Sequence, residues 1–219
     1  MPVKDKKTVY LTFDDGPIPE ITPWVLDLLD KYNIKATFFC VGDNVRKYPE
    51  VYRQVLERGH QVGNHTFNHV QGIRTLSKNY IRNAEKASEY IKSSLFRPPH
   101  GHMRLPQFFC LRKKYQIILW DVVTRDYSSK QTPEKVLQNV KRYTRDGSII
   151  VFHDSLKAEK NMKYALPRAI EWLLEQGYSF DTIANQEDPM QQNGELIEAA
   201  EKSLRNSEIG IPELEHDYK

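Results

Sequence analysis

Cysteine, long apolar runs and internal repeats are scarce or absent in this sequence, and these absences exclude several classes of protein. Two cysteines in 219 residues cannot form a disulfide framework, and we predict that Cys40 and Cys110 are buried, reduced thiols. No apolar run approaches the roughly 18 residues of a transmembrane helix, so no membrane span is predicted. With 39% hydrophobic and 28% charged residues, the chain is neither fibrous, collagen-like nor wholly disordered.

The chain also opens without a secretion signal, because MPVKDKKTVYLTF contains no apolar stretch before a cleavage site. As written, the protein is therefore expected to be cytoplasmic. A signal or anchor preceding Met1 would instead direct it to the cell envelope or outside the cell.

Charge divides the chain into two parts. Residues 184–219 contain nine acidic and three basic residues, a net charge of −6, which leaves +9 on residues 1–183. A basic globular part suits an anionic partner such as nucleic acid, a lipid surface or a cell-wall polymer. We favour a solvated basic surface and expect no nucleic-acid partner, because no arginine-rich stripe or basic patch interleaved with aromatic residues stands out. We expect residues 184–219 to be an acidic tail, either a docked helix or a mobile extension.

Apolar runs alternate with helix-length amphipathic segments, which predicts a parallel sheet covered by helices. Seven strands are predicted, at Thr8–Phe13, Ala36–Cys40, Gln61–Gly63, Ser94–Arg97, Gln116–Trp120, Ser148–Phe152 and Tyr178–Asp181. Helices are predicted at Pro23–Tyr32, Asn44–Arg58 with an interruption at Pro49, Ser77–Lys92, Thr132 to about Thr144, and Tyr164–Gln176. Seven such units can close into a barrel or form an open doubly wound sheet, and periodicity alone does not choose between them.

Ionisable residues collect just after five of the predicted strands, where parallel β/α folds hold their functional groups. They are Asp14 and Asp15, His65 and His69, Arg97, Asp126, and His153. Each motif alone has a simpler interpretation: two surface histidines, a turn at Asp-Asp-Gly, or a core histidine bonded to backbone. Together, one Asp and two His supply three metal ligands and leave positions open for water and substrate, which is typical of a catalytic metal site. A further carboxylate as base and a further histidine as acid would allow metal-assisted hydrolysis of an amide or ester.

The sequence resembles the polysaccharide deacetylase family, the NodB-homology domain of carbohydrate esterases, from about Thr8 to Ile183. The resemblance rests on five motifs in order: TFDDG at residues 12–16, HTFNH at 65–69, RPPHG at 97–101, Asp126-Tyr127, and IIVFHD at 149–154. It implies a distorted, incomplete (β/α) barrel.

The resemblance also implies a role for each motif residue. Asp15, His65 and His69 would hold one divalent metal ion, usually zinc, although such donors also accept cobalt, nickel or manganese. Asp14 would be the general base, positioned by Arg97, and His153 the general acid, oriented by Asp126. The backbone N–H of His100 would help to bind the oxyanion.

Three positions depart from the family pattern. Tyr127 stands where Trp is usual and Val151 where Leu is usual, and both positions normally line the pocket for the acetyl methyl group. His100 replaces a common Tyr. These departures affect the acyl pocket and the substrate rather than the metal chemistry.

The expected function is removal of N-acetyl groups from N-acetylglucosamine units of a chitin-like glycan or of peptidoglycan. We expect the protein to be a monomer in which residues 1–183 form the catalytic domain. Acetyl-xylan esterase or another amide hydrolase of the family is the alternative enzyme. A non-catalytic glycan-binding module is the alternative of another class, against which the pair of Asp14 and His153 argues.

Overall fold

In the computed structural model, residues 7–183 are described, and they form eight strands, all paired in parallel. The strands are β1 (Lys7–Asp14), β2 (Thr37–Cys40), β3 (Gln61–Asn64), β4 (Leu95–Phe96), β5 (Gln116–Ile117), β6 (Val122–Val123), β7 (Ile149–His153) and β8 (Tyr178–Phe180). Their order across the sheet is β5-β4-β3-β2-β1-β7-β6, with β8 paired to the first residues of β1.

Seven α-helices accompany these strands within residues 7–183. They are α1 (Thr22–Lys31), α2 (Gly42–Lys47), α3 (Pro49–Glu57), α4 (Ser77–Ala87), α5 (Leu105–Leu111), α6 (Pro133–Tyr143) and α7 (Glu159–Glu175), with a 3-10 turn at Pro99–Gly101. The two end strands, β5 and β6, do not pair with each other, so the seven-strand path stays open. The fold is therefore the distorted, incomplete (β/α) barrel that the resemblance implied.

All seven predicted strands are present, and the sequence analysis missed only β6. That strand is two residues long, so it is too short for a period-two pattern to show. It pairs with β7 at Val122↔Ile150 and Val123↔Val151.

Alternate residues of the strands face two different environments, as the pleat requires. Leu11 and Phe13 of β1 point outward into the main core beneath the helices, whereas Thr12 and Asp14 lie on the inner face. The inner floor of the half-barrel is a small apolar cluster of Phe39, Leu95 and Ile118, completed by Ile149 and Ile183. Polar groups therefore begin only above this floor, towards the carboxyl ends of the strands.

Helix boundaries differ from the predicted ones for local reasons. Tyr48, the residue before Pro49, has φ −129° and ψ 55°, so α2 and α3 are separate helices, as the predicted interruption requires. Helix α4 ends at Ala87 because the next amides bond three residues back, from Glu89 to Lys86 and from Tyr90 to Ala87. Helix α7 begins five residues before the predicted Tyr164 and continues through Pro167, since its long apolar face packs into the main core.

The cysteine prediction was half wrong. Cys40 is a buried free thiol, but Cys110 is exposed, because it lies on the outward face of α5.

The predicted acidic tail falls outside the described residues. No helix within residues 7–183 is long and apolar enough to cross a membrane.

Candidate active site

The carboxyl ends of β1, β3, β4 and β7 meet at one rim, and the sheet register brings their polar residues together. Asp14 is the last residue of β1 and is aligned with His153, the last residue of β7. His65 follows β3 directly, and its backbone N–H donates to the carbonyl of Cys40 at the end of β2. The predicted convergence of these side chains at one edge of the sheet is therefore observed.

Asp15, His65 and His69 form a convergent group of metal-type donors. One ligand atom from each lies within 4.8 Å of the others. The Asp15 Oδ1 atom is 3.2 Å from the His69 Nε2 and 3.8 Å from the His65 Nε2. Donor atoms on the corners of a tetrahedron around zinc lie roughly 3.3–3.6 Å apart, so the observed spacing fits a common cation.

Hydrogen bonding fixes which nitrogen of His65 is free. The His65 Nδ1 lies 2.7 Å from the carbonyl oxygen of Arg97, which can only accept, so Nδ1 carries the proton. The other nitrogen, Nε2, therefore presents a lone pair to Asp15. Burial lowers the pKa of His65 to about 4 despite the nearby charge of Asp14, so the ring is neutral at neutral pH, as a metal ligand must be.

Asp15 is held in an unusual backbone conformation with one oxygen left unpaired. Its φ is +86°, a region that residues with a side chain rarely occupy, and its carbonyl accepts a 2.7 Å hydrogen bond from the Asn44 amide. The buried Oδ1 has no hydrogen-bond partner. Burial favours the neutral carboxyl, but the neighbouring histidines outweigh it and hold the pKa of Asp15 below its ordinary value. An ionised, unpaired oxygen facing two imidazole nitrogens is what a divalent cation requires, so these residues fit a divalent metal ion.

Arg97 and Asp14 form an ion pair inside the half-barrel. The Arg97 Nη1 donates 2.7 Å bonds to the Asp14 Oδ1 and to the Thr12 hydroxyl, and the guanidinium stacks over Phe39 at 4.0 Å. Burial lowers the pKa of Arg97 while Asp14 opposes that shift, and an arginine in this position keeps its charge. Because Arg97 occupies only Oδ1, the Asp14 Oδ2 remains available, 3.9 Å from the His65 Nε2.

His153 and Asp126 form a second pair on the other side of the rim. The Asp126 Oδ1 is 2.8 Å from the His153 Nδ1, and the Asp126 Oδ2 accepts a 2.8 Å bond from the backbone N–H of His153. Burial alone would lower the pKa of His153, but the Asp126 carboxylate outweighs it and raises that pKa to about 9. The imidazolium is therefore the form present at neutral pH, with Nε2–H directed away from Asp126.

The three residues at which the sequence departs from the family lie around these pairs. His100 has φ +61° in the 3-10 turn, and its ring lies 5.0 Å from that of His69. The Tyr127 ring meets the His153 ring edge-on at 4.8 Å and is partly exposed. Val151 is fully buried, two residues before His153 on the inner face, aligned with Thr12.

Asp154, for which no role was predicted, supports the segment of Asp14 and Asp15 from below. Its carboxylate accepts a 3.0 Å bond from the Gly16 N–H and a 2.6 Å bond from the Thr22 hydroxyl. A Cβ on Gly16 would lie 1.9 Å from the Asp154 Oδ2, so only glycine fits there. Burial raises the pKa of this carboxyl to about 8. The signal in the sequence was a second carboxylate directly after His153 at a strand end.

Asn161 of α7 was missed as well. Its amide donates a 2.9 Å bond to the Asp126 carbonyl, which ties the loop carrying Asp126 to a helix. No local pattern marks this residue, because the contact joins positions 35 apart in the chain.

Comparisons with known proteins agree with this geometry. The sequence pattern of a family described as "Polysaccharide deacetylase" matches residues 2–110. A peptidoglycan-N-acetylglucosamine deacetylase of Bacillus cereus is 35% identical over 188 residues, covering 82% of this chain and 88% of its own. A chitooligosaccharide deacetylase of Bradyrhizobium sp. is 32% identical over 160 residues, covering 69% of this chain and 73% of its own.

A solved structure of peptidoglycan deacetylase PdaC from Bacillus subtilis superposes with a TM-score of 0.73 at 30% identity, covering 93% of this chain and 98% of the solved one. The full PdaC, named a peptidoglycan-N-acetylmuramic acid deacetylase, is longer, and the alignment spans 40% of its length.

Proposed function

The chain belongs to the polysaccharide deacetylase family, and we propose that it is a metal-dependent hydrolase that removes N-acetyl groups from N-acetylglucosamine units of a glycan. The names of the relatives from Bacillus cereus and Bradyrhizobium sp. support this substrate class, since both are deacetylases of such glycans. Peptidoglycan or a chitin-like oligomer is the proposed substrate. The proposed catalytic domain is residues 1–183, because every residue that we place in the site or in its support lies between Thr12 and Asn161.

Asp15, His65 and His69 would hold one divalent ion, and we favour zinc, which binds imidazole and carboxylate donors in open three-residue sites. When bound, the ion supplies a Lewis acid and lowers the pKa of water towards neutrality. The unpaired Asp15 Oδ1 and the fixed tautomer of His65 support this assignment.

Asp14 is the proposed general base. Its Oδ2 accepts the proton of the attacking water while Arg97, bonded to Oδ1, keeps the carboxylate in place. The backbone N–H of His100 is the proposed donor to the amide oxygen, where negative charge develops.

His153 is the proposed general acid. An amine leaves an amide only if its nitrogen is protonated, and the imidazolium of His153 holds that proton because of Asp126. After His153 has given up its proton, the products are acetate and a free amine on the sugar.

One observation carries the proposal. The carboxylates of Asp14 and Asp15 meet at one rim with His65, whose pKa is lowered, and His153, whose pKa is raised. Metal binding alone would need neither the Arg97–Asp14 pair nor the Asp126–His153 pair. A glycan-binding module that kept the scaffold would have no use for a buried histidine held protonated.

The test is acetate release from a panel of substrates: N-acetylglucosamine oligomers, peptidoglycan and acetylated xylan. We expect release from the N-acetylated glycans, its loss on chelation and its return with zinc. Release from acetyl-xylan alone would favour the esterase instead. Absence of release from every substrate by metal-loaded protein would contradict the hydrolase.

A further inference from the structure

Four large apolar side chains are exposed together on one side of the molecule. Ile73, Leu76, Leu105 and Phe109 are between 55% and 72% exposed. Ile73 and Leu76 lie in the loop that leads into α4, and Leu105 and Phe109 are one turn apart on α5. Single exposed apolar residues are ordinary, but a group of them marks an interaction surface.

Hydrogen bonds hold the two segments against each other. The Arg104 guanidinium donates 2.9 and 2.6 Å bonds to the Ile73 carbonyl. The buried Gln107 amide donates to the carbonyls of Gly72 and Thr75, at 2.9 and 3.1 Å. The apolar group is therefore one preformed surface, which we term the α5 face: Ile73, Leu76, Leu105 and Phe109 with the cations beside them.

The cations of the α5 face have no acidic neighbours in the sequence. Residues 70–84 and 97–120 contain no Asp or Glu. Arg74, Lys78, Arg112 and Lys113 are exposed, and none of the four forms an ion pair with a carboxylate within residues 7–183. Other surface cations, such as Arg46 and Lys47, do have a carboxylate partner, which is Asp43 in their case. An unpaired positive charge is thus concentrated beside the apolar side chains.

We propose that the α5 face docks on the surface of a lipid bilayer that contains anionic lipids. Unpaired cations attract anionic headgroups, and aliphatic and phenyl side chains enter the boundary of the acyl chains. A nucleic acid or an anionic wall polymer would satisfy the cations but would leave Leu76, Leu105 and Phe109 in water. An anionic bilayer uses the charge and the apolar surface together.

The α5 face adjoins the rim of the candidate active site. The loop that carries Ile73 also carries Gln71, whose amide lies 3.1 Å from the His100 ring nitrogen, and the segment after His100 leads into α5. Docking would therefore hold the site beside the membrane surface, where it would meet glycan close to the bilayer.

The test is cosedimentation of the full chain with vesicles of phosphatidylglycerol and phosphatidylcholine, compared with vesicles of phosphatidylcholine alone. We expect binding to the anionic vesicles, weakened by salt, and little binding to the zwitterionic ones. Equal binding to both, or binding to neither, would overturn the proposal.

Two variants separate the two parts of the surface. Arg74→Gln with Lys78→Gln and Lys113→Gln should weaken anionic-vesicle binding about tenfold or more. The control, Lys130→Gln with Arg142→Gln and Lys160→Gln, removes the same charge from other exposed positions and should leave binding within about twofold. An equal loss in both would mean a diffuse charge effect and would overturn the assigned face.

The second variant, Leu105→Ser with Phe109→Ser, should weaken binding by a similar factor at unchanged charge. Its control is Tyr143→Ser with Leu174→Ser, which are also exposed. Unaltered binding of the Leu105 and Phe109 variant would reject the bilayer in favour of an anionic polymer. The charge variant and the apolar variant test the α5 face independently. If one of them misfolds, vesicle binding by the other still tests the proposal.

Discussion

His65 and His153 lie on the same rim and are both largely buried, yet their pKa values are shifted in opposite directions from that of an ordinary histidine. The pKa of His65 falls to about 4 and that of His153 rises to about 9. Burial acts on both in the same sense, against the imidazolium. The difference comes from what each Nδ1 meets: a neutral backbone carbonyl beside His65 and the Asp126 carboxylate beside His153. The hydrogen-bond partner, rather than burial, therefore decides whether a histidine offers a lone pair or a proton.

The same contrast separates the two adjacent aspartates. Asp14 is paired with Arg97 within the half-barrel, whereas Asp15 has φ +86° and faces the imidazoles of His65 and His69. In the proposed mechanism the first carboxylate receives a proton and the second binds the cation. Substitutions that exchange or remove these partners test the comparison directly.

The largest effect is expected from His65→Ala. Removal of a buried donor leaves two ligands, so the chain should lose both its stoichiometric metal and nearly all acetate release, while its fold persists because the site is at the rim. Atomic absorption measures the bound metal, and far-UV circular dichroism measures whether the fold persists. His102→Ala, an exposed histidine in the loop after His100, is the control and should keep both. A His65→Ala, His69→Ala double variant that retains one metal per chain would refute the ligand set.

The next largest effect should come from Asp14→Asn, which removes the base and keeps the metal. Positioned proton transfer contributes about 10²- to 10⁴-fold, so kcat should fall by that order at unchanged metal content. Asp15→Asn, one residue further on, should weaken metal binding as well. Calorimetric metal titration beside steady-state kinetics distinguishes the two, and near-normal turnover in Asp14→Asn would place the base elsewhere.

Asp126→Asn tests the other half of the comparison. With Asp126 present, the pKa of His153 lies above its ordinary value, so His153 stays protonated to about pH 9 and activity should fall as pH rises beyond that. Without the Asp126 carboxylate, burial is opposed only by the charges of Asp15 and Asp14, so the pKa of His153 falls and the alkaline limb of kcat should move to lower pH. A bound cation lowers both values, and therefore the measured quantity is the difference between the two proteins in the metal-loaded state. An unmoved limb would mean that Asp126 does not act on the acid.

Sequence patterns predicted the strand ends well because buried parallel strands are long apolar runs, and β1 and β7 have that form. They could not predict β6, whose two residues take their conformation from β7 rather than from their own pattern. Among the site residues, charges placed at strand ends were recognisable, and the order of five motifs assigned them roles. Partners that join distant segments, such as Asn161 with the Asp126 carbonyl, depend on helix placement, which no local spacing encodes.

Asp154 is such a partner, and its removal should have a moderate effect on the metal side of the site. In Asp154→Ala the Gly16 N–H and the Thr22 hydroxyl lose their acceptor, so the segment holding Asp15 should loosen. Residues that orient metal ligands typically contribute about 10- to 100-fold in metal affinity, and we expect a loss in that range by calorimetry. Asp154→Asn retains an oxygen for the Gly16 N–H and should recover part of it. Equal affinity in wild type and Asp154→Ala would show that the segment needs no such support.

The smallest effect should come from the residues around His153 that touch no metal. Tyr127 lies edge-on to the His153 ring and Val151 lies on the same face two residues earlier, and both are smaller than the usual Trp and Leu. Val151 is fully buried, so a longer side chain there would take volume from the interior beneath His153. The wild type should therefore reject propionyl relative to acetyl substrates less strongly than a Tyr127→Trp, Val151→Leu variant. One methylene in an apolar pocket contributes roughly 10-fold or more in discrimination. We therefore expect the ratio of the acetyl to the propionyl kcat/KM to differ by about 10-fold between the two proteins. Comparison of acetyl and propionyl amides in both proteins measures it, with each single variant as the control, and an identical ratio would mean that neither residue bounds the acyl pocket.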